Sequence, residues 1–161
     1  MVMFKLIGGG ILTYCSLRGY IEIQKFQKKR IKQINAFIQL IEYIKNQIEC
    51  FLLPIDVIIE NCDRDLLKNC GIYKNNQKTD NLQELISSVV FYCEDKATNM
   101  IMQFAENFGH NYSREQIISC EYFKNELIKI RDSMLEKDAK NKKVQLAIFL
   151  SVSFSIIILL I

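Results

Sequence analysis

From residue 34 onwards the apolar positions run Ile34, Phe37, Ile41, Ile44, Ile48, Phe51, Ile55, Ile58 and Cys62, an unbroken alternation of three and four. A strand would alternate by two, so this spacing predicts helix with one apolar stripe. Ile38, Leu40, Leu52 and Ile59 widen the stripe beyond a two-stranded seam, which points to a bundle core rather than an isolated coiled coil. Pro54 has no N–H to donate and disfavours helix at Leu53, so a break near Leu52 and a second, short helix from Pro54 are expected. Residues 61–79 are polar, carry Gly71 and run into KNNQKTD at 74–80; they read as a connection holding one helical turn. Asp80 followed by Gln83 resembles a capping box. It opens a helix with Leu82, Leu85, Ile86, Val89, Val90, Cys93, Ala97, Met100, Ile101, Phe104 and Phe108 on one side. Gly109 is placed to end that helix in the left-handed conformation. Ser113 with Gln116 gives another capping box, before a third long helix carrying Ile117, Cys120, Phe123, Leu127, Ile130 and Met134. No breaker follows Arg114, so this helix is expected to continue into the apolar C-terminus.

The two ends differ from the middle. Residues 144–161 contain no charge, no Gly and no Pro. Eighteen residues at 1.5 Å each give roughly 27 Å, close to one hydrocarbon core, so a transmembrane helix is expected there rather than a buried core helix. Ser151, Ser153 and Ser155 can bond back to their own helix carbonyls. At the other end, only twelve uncharged residues, LIGGGILTYCSL, separate Lys5 from Arg18. Both charges can snorkel, which extends the apolar segment to residues 1–23. A retained anchor fits better than an interfacial helix or a signal peptide: the basic cluster follows the apolar stretch, and no small-residue cleavage site appears. Lys25, Lys28, Lys29, Arg30 and Lys32 border the middle on one side, and Lys137, Lys140, Lys142 and Lys143 on the other. The excess of lysine and arginine on cytoplasmic flanks then places the middle in the cytoplasm and both termini on the opposite side.

Composition adds exclusions. Half of the 161 residues are apolar and 24% are charged, which rules out a disordered or highly charged chain. A net charge of +3, without aromatics interleaved among the basic residues, gives no support for nucleic-acid binding. The six cysteines lie at irregular spacings, mostly in segments that read as helix. They are expected to be reduced and structural rather than a framework of three disulfides. With one His and no CxxC, a zinc site or thioredoxin-type motif is not expected. There is no phosphate-binding glycine loop, and His110 is the single candidate imidazole base, placed in a polar turn. Asp63 with Asp65, and Glu94 with Asp95, read as solvated surface. No catalytic, cofactor or metal residues are therefore assigned.

The order of several short pieces resembles the stage III sporulation protein AB family of endospore-forming bacteria. They are FKLIGGG at residues 4–10, Arg30 with KQI at 32–34, Pro54, FAENFG at 104–109 and AKNKK at 139–143. Departures are visible: Lys45 and Gln47 stand where the family usually has acidic residues, Phe51 and Leu53 replace the Gly and Thr of its Gly-x-Thr-Pro-Leu turn, and Phe104-Ala105 replaces a Phe-Gly pair. The family is similar to the cytoplasmic helical domain of the type II secretion platform protein. The resemblance implies a component of a secretion-like channel in the mother-cell membrane around the forespore. Its partners would be a secretion-type ATPase, stage III sporulation protein AA, and other membrane components.

These readings combine into an all-α protein, an antiparallel helical bundle flanked by N- and C-terminal transmembrane helices. Its parts are an anchor at 1–23, a cytoplasmic bundle at 24–143 and a terminal span at 144–161. The candidate contact residues are Lys28, Lys29, Arg30 and Lys32 on the lysine-rich face, with Gly109 and His110 in the turn. An alternative is a non-catalytic subunit or anchor of an unrelated membrane enzyme complex. Conduction by one monomer is disfavoured, since two spans carry no intramembrane charge network.

Overall fold

The computed structural model describes residues 2–73, 81–109 and 113–160; side chains are not described at 2–9, 11–13, 16, 150, 153–154 and 156–160. Among the described residues six helices follow in order: α1 Val2–Phe51, α2 Ile55–Glu60, α3 Arg64–Cys70, α4 Leu82–Ser87, α5 Asp95–Asn107 and α6 Ser113–Leu160. No strand occurs among the described residues, and the fold class is all-α. The chain divides into two compact units, Lys29–Ser133 and a second made of Met1–Lys28 with Met134–Ile161.

In the Lys29–Ser133 unit the predicted stripe is the core of α1. Ile34, Phe37, Ile41, Ile44 and Ile48 are buried, with Ala36 and Leu40 beside them. The facing side of α6 buries Cys120, Phe123, Leu127 and Ile130. The two helices run antiparallel: Asn35 meets Arg131, Glu42 meets Lys124 and Lys45 meets Glu121, so numbers rise along one as they fall along the other. The four short helices fill the remaining side with Ile58, Leu67, Leu82, Ile86, Ala97, Ile101 and Phe104. Phe104 lies edge-on to Phe123 at 5.6 Å. Each large apolar side chain so buried contributes about 1.5–3 kcal/mol.

The helix ends follow local chemistry. Leu52 donates its N–H to the Ile48 carbonyl and takes a left-handed φ of 51°, and Pro54 precedes α2, which is the expected break. The stripe therefore stops at Ile48; Phe51, expected on it, is 66% exposed because the helix ends there. Asp63 caps α3, accepting from the Asp65 N–H, and Gly71 closes it at φ 92°. The Ile72 N–H reaches the Leu67 carbonyl, and Ile72 and Leu67 are both buried, a Schellman closure with its apolar contact. This connection holds two turns of helix, not one. Asn81 rather than Asp80 caps α4, accepting from the Gln83 N–H; Asp80 lies outside the described residues.

One expected helix is two. The run from Leu82 to Phe108 breaks after Ser87, and residues 88–94 are non-helical before α5. Ser87 and Ser88 turn their hydroxyls back onto the Glu84 and Leu85 carbonyls, consuming acceptors at the end of α4. Val90, expected in the core, is 67% exposed. Gly109 adopts φ 90° just past α5, as predicted.

In the second unit, Tyr20 of α1 lies edge-on to Phe149 of α6, 5.4 Å between centroids. Ser151 and Ser155 donate to the Ile148 and Ser151 carbonyls, as expected; the Ser153 side chain lies outside the described residues. α6 continues unbroken to Leu160. Among the described residues, however, no helix is long and apolar enough to cross a membrane. Lys5, Arg18 and Glu22 interrupt the N-terminal stretch, and many side chains of the two expected spans, 1–23 and 144–161, lie outside the described set. The flanking spans are thus not part of the observed fold class.

Candidate functional site

The basic stretch of α1 separates into two groups. Lys28 and Lys32 are exposed. Lys29, also exposed, places its ammonium 3.6 Å from the centre of the Tyr92 ring, a cation–π contact. Arg30 donates to the Glu94 carboxylate at 2.7 Å, with its side chain only 19% exposed. Gly109 is exposed in the left-handed turn after α5, and His110 lies outside the described residues.

Lys29 and Arg30 belong to a larger arrangement in which residues 90–94 are strapped along α1. Its centre is Gln33, 2% exposed and the one buried polar side chain among the described residues. The Gln33 amide donates to the carbonyls of Cys70 and Val90, both at 3.0 Å, and its oxygen accepts from the Tyr92 N–H at 2.8 Å. The Cys93 thiol lies 3.4 Å from the same oxygen. Phe91 stacks on Phe37 at 5.8 Å. Within residues 88–94 this amide thus satisfies two backbone groups that lack helical partners, the Val90 carbonyl and the Tyr92 N–H, and so favours the strap over helix in an apolar run without Gly or Pro. Gly71 suits the place beside it: at φ 92° a side chain would be strained, and a Cβ would come within 3.2 Å of Val89 and 3.4 Å of the Gln33 amide nitrogen.

A ring of four alternating charges joins α1 to α6. Lys124 binds Glu42 at 2.7 Å and Glu121 at 2.8 Å; Lys45 binds Glu121 at 3.0 Å and Glu42 at 3.6 Å. Hydrogen bonding to Lys124 holds both carboxyls below their usual range, and bonding to Glu121 raises both lysines. Lys45 is a full member of this ring.

Several of the remaining reactive side chains are buried or already engaged. None of the six cysteines is in a disulfide; Cys62, Cys70 and Cys120 are buried, and Cys15 and Cys50 are exposed. Burial pushes the Cys93 thiol up to about 11 and Cys120 up to about 12, and Cys70 higher still, so these three are protonated thiols at neutral pH. Asp63 is engaged as a helix cap and Glu94 as the partner of Arg30. Among the described residues no group of His, Cys, Asp and Glu is arranged to hold a metal ion. What the arrangement offers is a set of surfaces: exposed lysines, an exposed turn at Gly109, and charged pairs that fix one helix against another.

Sequence reasoning missed Gln33, the Arg30–Glu94 pair and the charge ring. A signal for Gln33 existed: it falls in register with Phe37, Leu40 and Ile44, a polar residue on the buried face. The contacts between helices had none, because their partners are 64 to 82 residues apart; within the ring only Glu42 with Lys45 and Glu121 with Lys124 are local, three residues apart.

No curated protein and no solved structure matches the chain. The description of stage III sporulation protein AB (spore_III_AB) matches residues 5–161, from the first lysine to the last residue. The match embraces the strap, the charge ring and both long helices, and on it the chain belongs to the stage III sporulation protein AB family.

Proposed function

We propose that this sporulation protein is a membrane platform or adaptor, with its Lys29–Ser133 unit in the cytoplasm and its apolar ends anchored in the mother-cell membrane around the forespore. In this reading it serves a secretion-like channel complex and docks a secretion-type ATPase of the stage III sporulation protein AA kind. Its mechanism is coupling: partners bind surfaces of the helical unit, and α1 and α6 carry the load to the membrane components.

The observation that carries the reading is where large apolar side chains are exposed. Tyr14, Leu17, Ile21, Ile23 and Phe26 on α1, and Val144, Leu146, Ile148 and Val152 on α6, are each at least 40% exposed and all belong to the unit built from the chain ends. Apolar side chains left uncovered on both helices fit a lipid or protein environment rather than water. Docking is assigned to Lys28, Lys32 and the turn at Gly109 and His110, whereas Lys29 and Arg30 act by holding the strap.

A photo-crosslinking residue placed at Lys28, Lys32 or Gly109 in sporulating cells tests the docking. Capture of the ATPase from at least one position is expected. Capture of subunits of a metabolic enzyme, with no ATPase, would favour the alternative of an anchor for an unrelated complex.

A further inference from the structure

The lysines near the C-terminal apolar segment differ from Lys29, Arg30, Lys45 and Lys124, which are held in cation–π or ion-pair contacts. Lys137, Lys140, Lys142 and Lys143 are all exposed, as are Lys25 and Lys28 of α1 in the same unit. That unit holds eight Lys or Arg against three Asp or Glu, whereas the Lys29–Ser133 unit holds thirteen against fifteen. The acids beside the α6 lysines are Glu136, which is exposed, and Asp138, which is half-buried; Lys25 is bonded to Glu22 at 2.8 Å. Lys140 and Lys143 line an open cleft together with Glu136 and Ala139.

Their arrangement selects the kind of partner. At about 100° per residue, Lys137, Lys140, Lys142 and Lys143 point to roughly 0°, 300°, 140° and 240° around α6. They encircle the helix instead of forming a stripe. A docked protein meets one face of a helix; a ring of charge at one level meets a plane. The ring is about 9 Å tall at 1.5 Å per residue, comparable with the roughly 5–8 Å of one headgroup layer. Directly after Lys143 come the exposed Val144, Leu146 and Ile148, so the side chains change from ammonium to hydrocarbon at the ring's edge. Lysine stems lie along apolar surface while their charges stay in the polar layer.

We infer that Lys137, Lys140, Lys142 and Lys143 form a collar that binds the phosphate headgroups of anionic phospholipids. The inference rests on the membrane reading above and adds to it a lipid preference. The collar fixes the depth at which α6 enters the bilayer and enriches anionic lipid around the protein. A lysine near an anionic membrane surface contributes roughly a fivefold factor, and one lipid meets about one lysine at a time, so the expected preference is about fivefold.

The test is spin-label spectroscopy on the full chain reconstituted in phosphatidylcholine vesicles containing one part in five phosphatidylglycerol. The fraction of motionally restricted label is compared for spin-labelled phosphatidylglycerol and spin-labelled phosphatidylcholine. The expected result is a roughly fivefold preference for the anionic lipid that falls with added salt. In the combined K137Q, K140Q, K142Q and K143Q variant it should fall to near unity while phosphatidylcholine contact and helicity are unchanged. Equal restriction of both lipids by the wild type, or a preference that survives in the variant, overturns the collar alone. Absence of any restricted lipid overturns the membrane reading and the collar with it.

Discussion

Replacing Gln33 by Leu removes one side-chain amide and leaves three backbone groups without their partners. The Cys70 carbonyl sits in a residue that is 0% exposed, so water cannot replace the lost donor, and an unsatisfied group of this kind costs about 1–3 kcal/mol. The Val90 carbonyl and the Tyr92 N–H are part-buried and can be partly rehydrated, at about 0.5–1 kcal/mol each. Leu is close to Gln in volume, so little cavity forms, and its apolar burial offsets part of the loss. The net expectation is about 2–4 kcal/mol, or a fall in Tm of roughly 6–15 °C for a chain of this size. Gln33→Glu should be worse at neutral pH, since a carboxylate oxygen would face two carbonyls, and should recover as the carboxyl protonates in acid. The exposed Gln39 on the same helix provides the control, with Gln39→Leu expected within about 0.5 kcal/mol of wild type. Thermal unfolding of the full chain in mild detergent, followed by circular dichroism, measures the stability. Hydrogen exchange at residues 88–94 reads the strap locally. A Gln33→Leu protein that melts with the wild type and protects Tyr92 equally would refute the assignment of the strap to this side chain.

Three further outcomes follow from the same geometry. Arg30→Glu should lower stability by about 1 kcal/mol and Glu94→Arg in the same chain should restore it, whereas Lys32→Glu should leave the melt unchanged; a double-mutant cycle on Tm checks all three. Leu52→Gly should raise stability by about 1 kcal/mol, because Leu52 holds φ 51° while 70% exposed and so gives up strain without losing packing; denaturant midpoints decide it. The charge ring should stabilise across a pH window bounded on both sides. Glu42 and Glu121 are held low, so their contribution is present above the ordinary carboxylate pKa and is lost as pH falls through their lowered values. Lys45 and Lys124 are held high, so theirs is present below the ordinary lysine pKa and is lost as pH rises through their raised values. Melts from pH 3 to 11 should show both losses in the wild type and smaller ones in Lys124→Met.

The parts of the fold legible in the sequence are those set by local chemistry. The alternation of three and four from Ile34 to Ile48 needed only helix geometry, and Pro54 and Gly109 announced their own turns. The break at residues 88–94 was illegible because nothing in SSVVFYCE forbids helix; Gln33, nearly 60 residues earlier, favours the alternative by donating to the Val90 carbonyl and accepting from the Tyr92 N–H. Lys29 and Arg30 looked like members of one exposed cluster with Lys28 and Lys32, and only the folded chain brings Tyr92 and Glu94 to them. The role of Lys45 was similarly opaque, since Glu42 is its neighbour on α1 but Glu121 comes from α6. Patterns along a chain reveal which face is buried; they do not reveal which distant backbone group a polar side chain will satisfy.

The central claim is that both apolar ends cross the membrane and leave the helical unit in the cytoplasm. Reporter fusions inserted at Asn76 and appended at the C-terminus, each active on one side of the membrane only, measure this most directly in sporulating cells. The account predicts that the Asn76 reporter is cytoplasmic and the C-terminal reporter lies on the opposite side. Both reporters on the same side, or recovery of the protein with the soluble fraction, would contradict it.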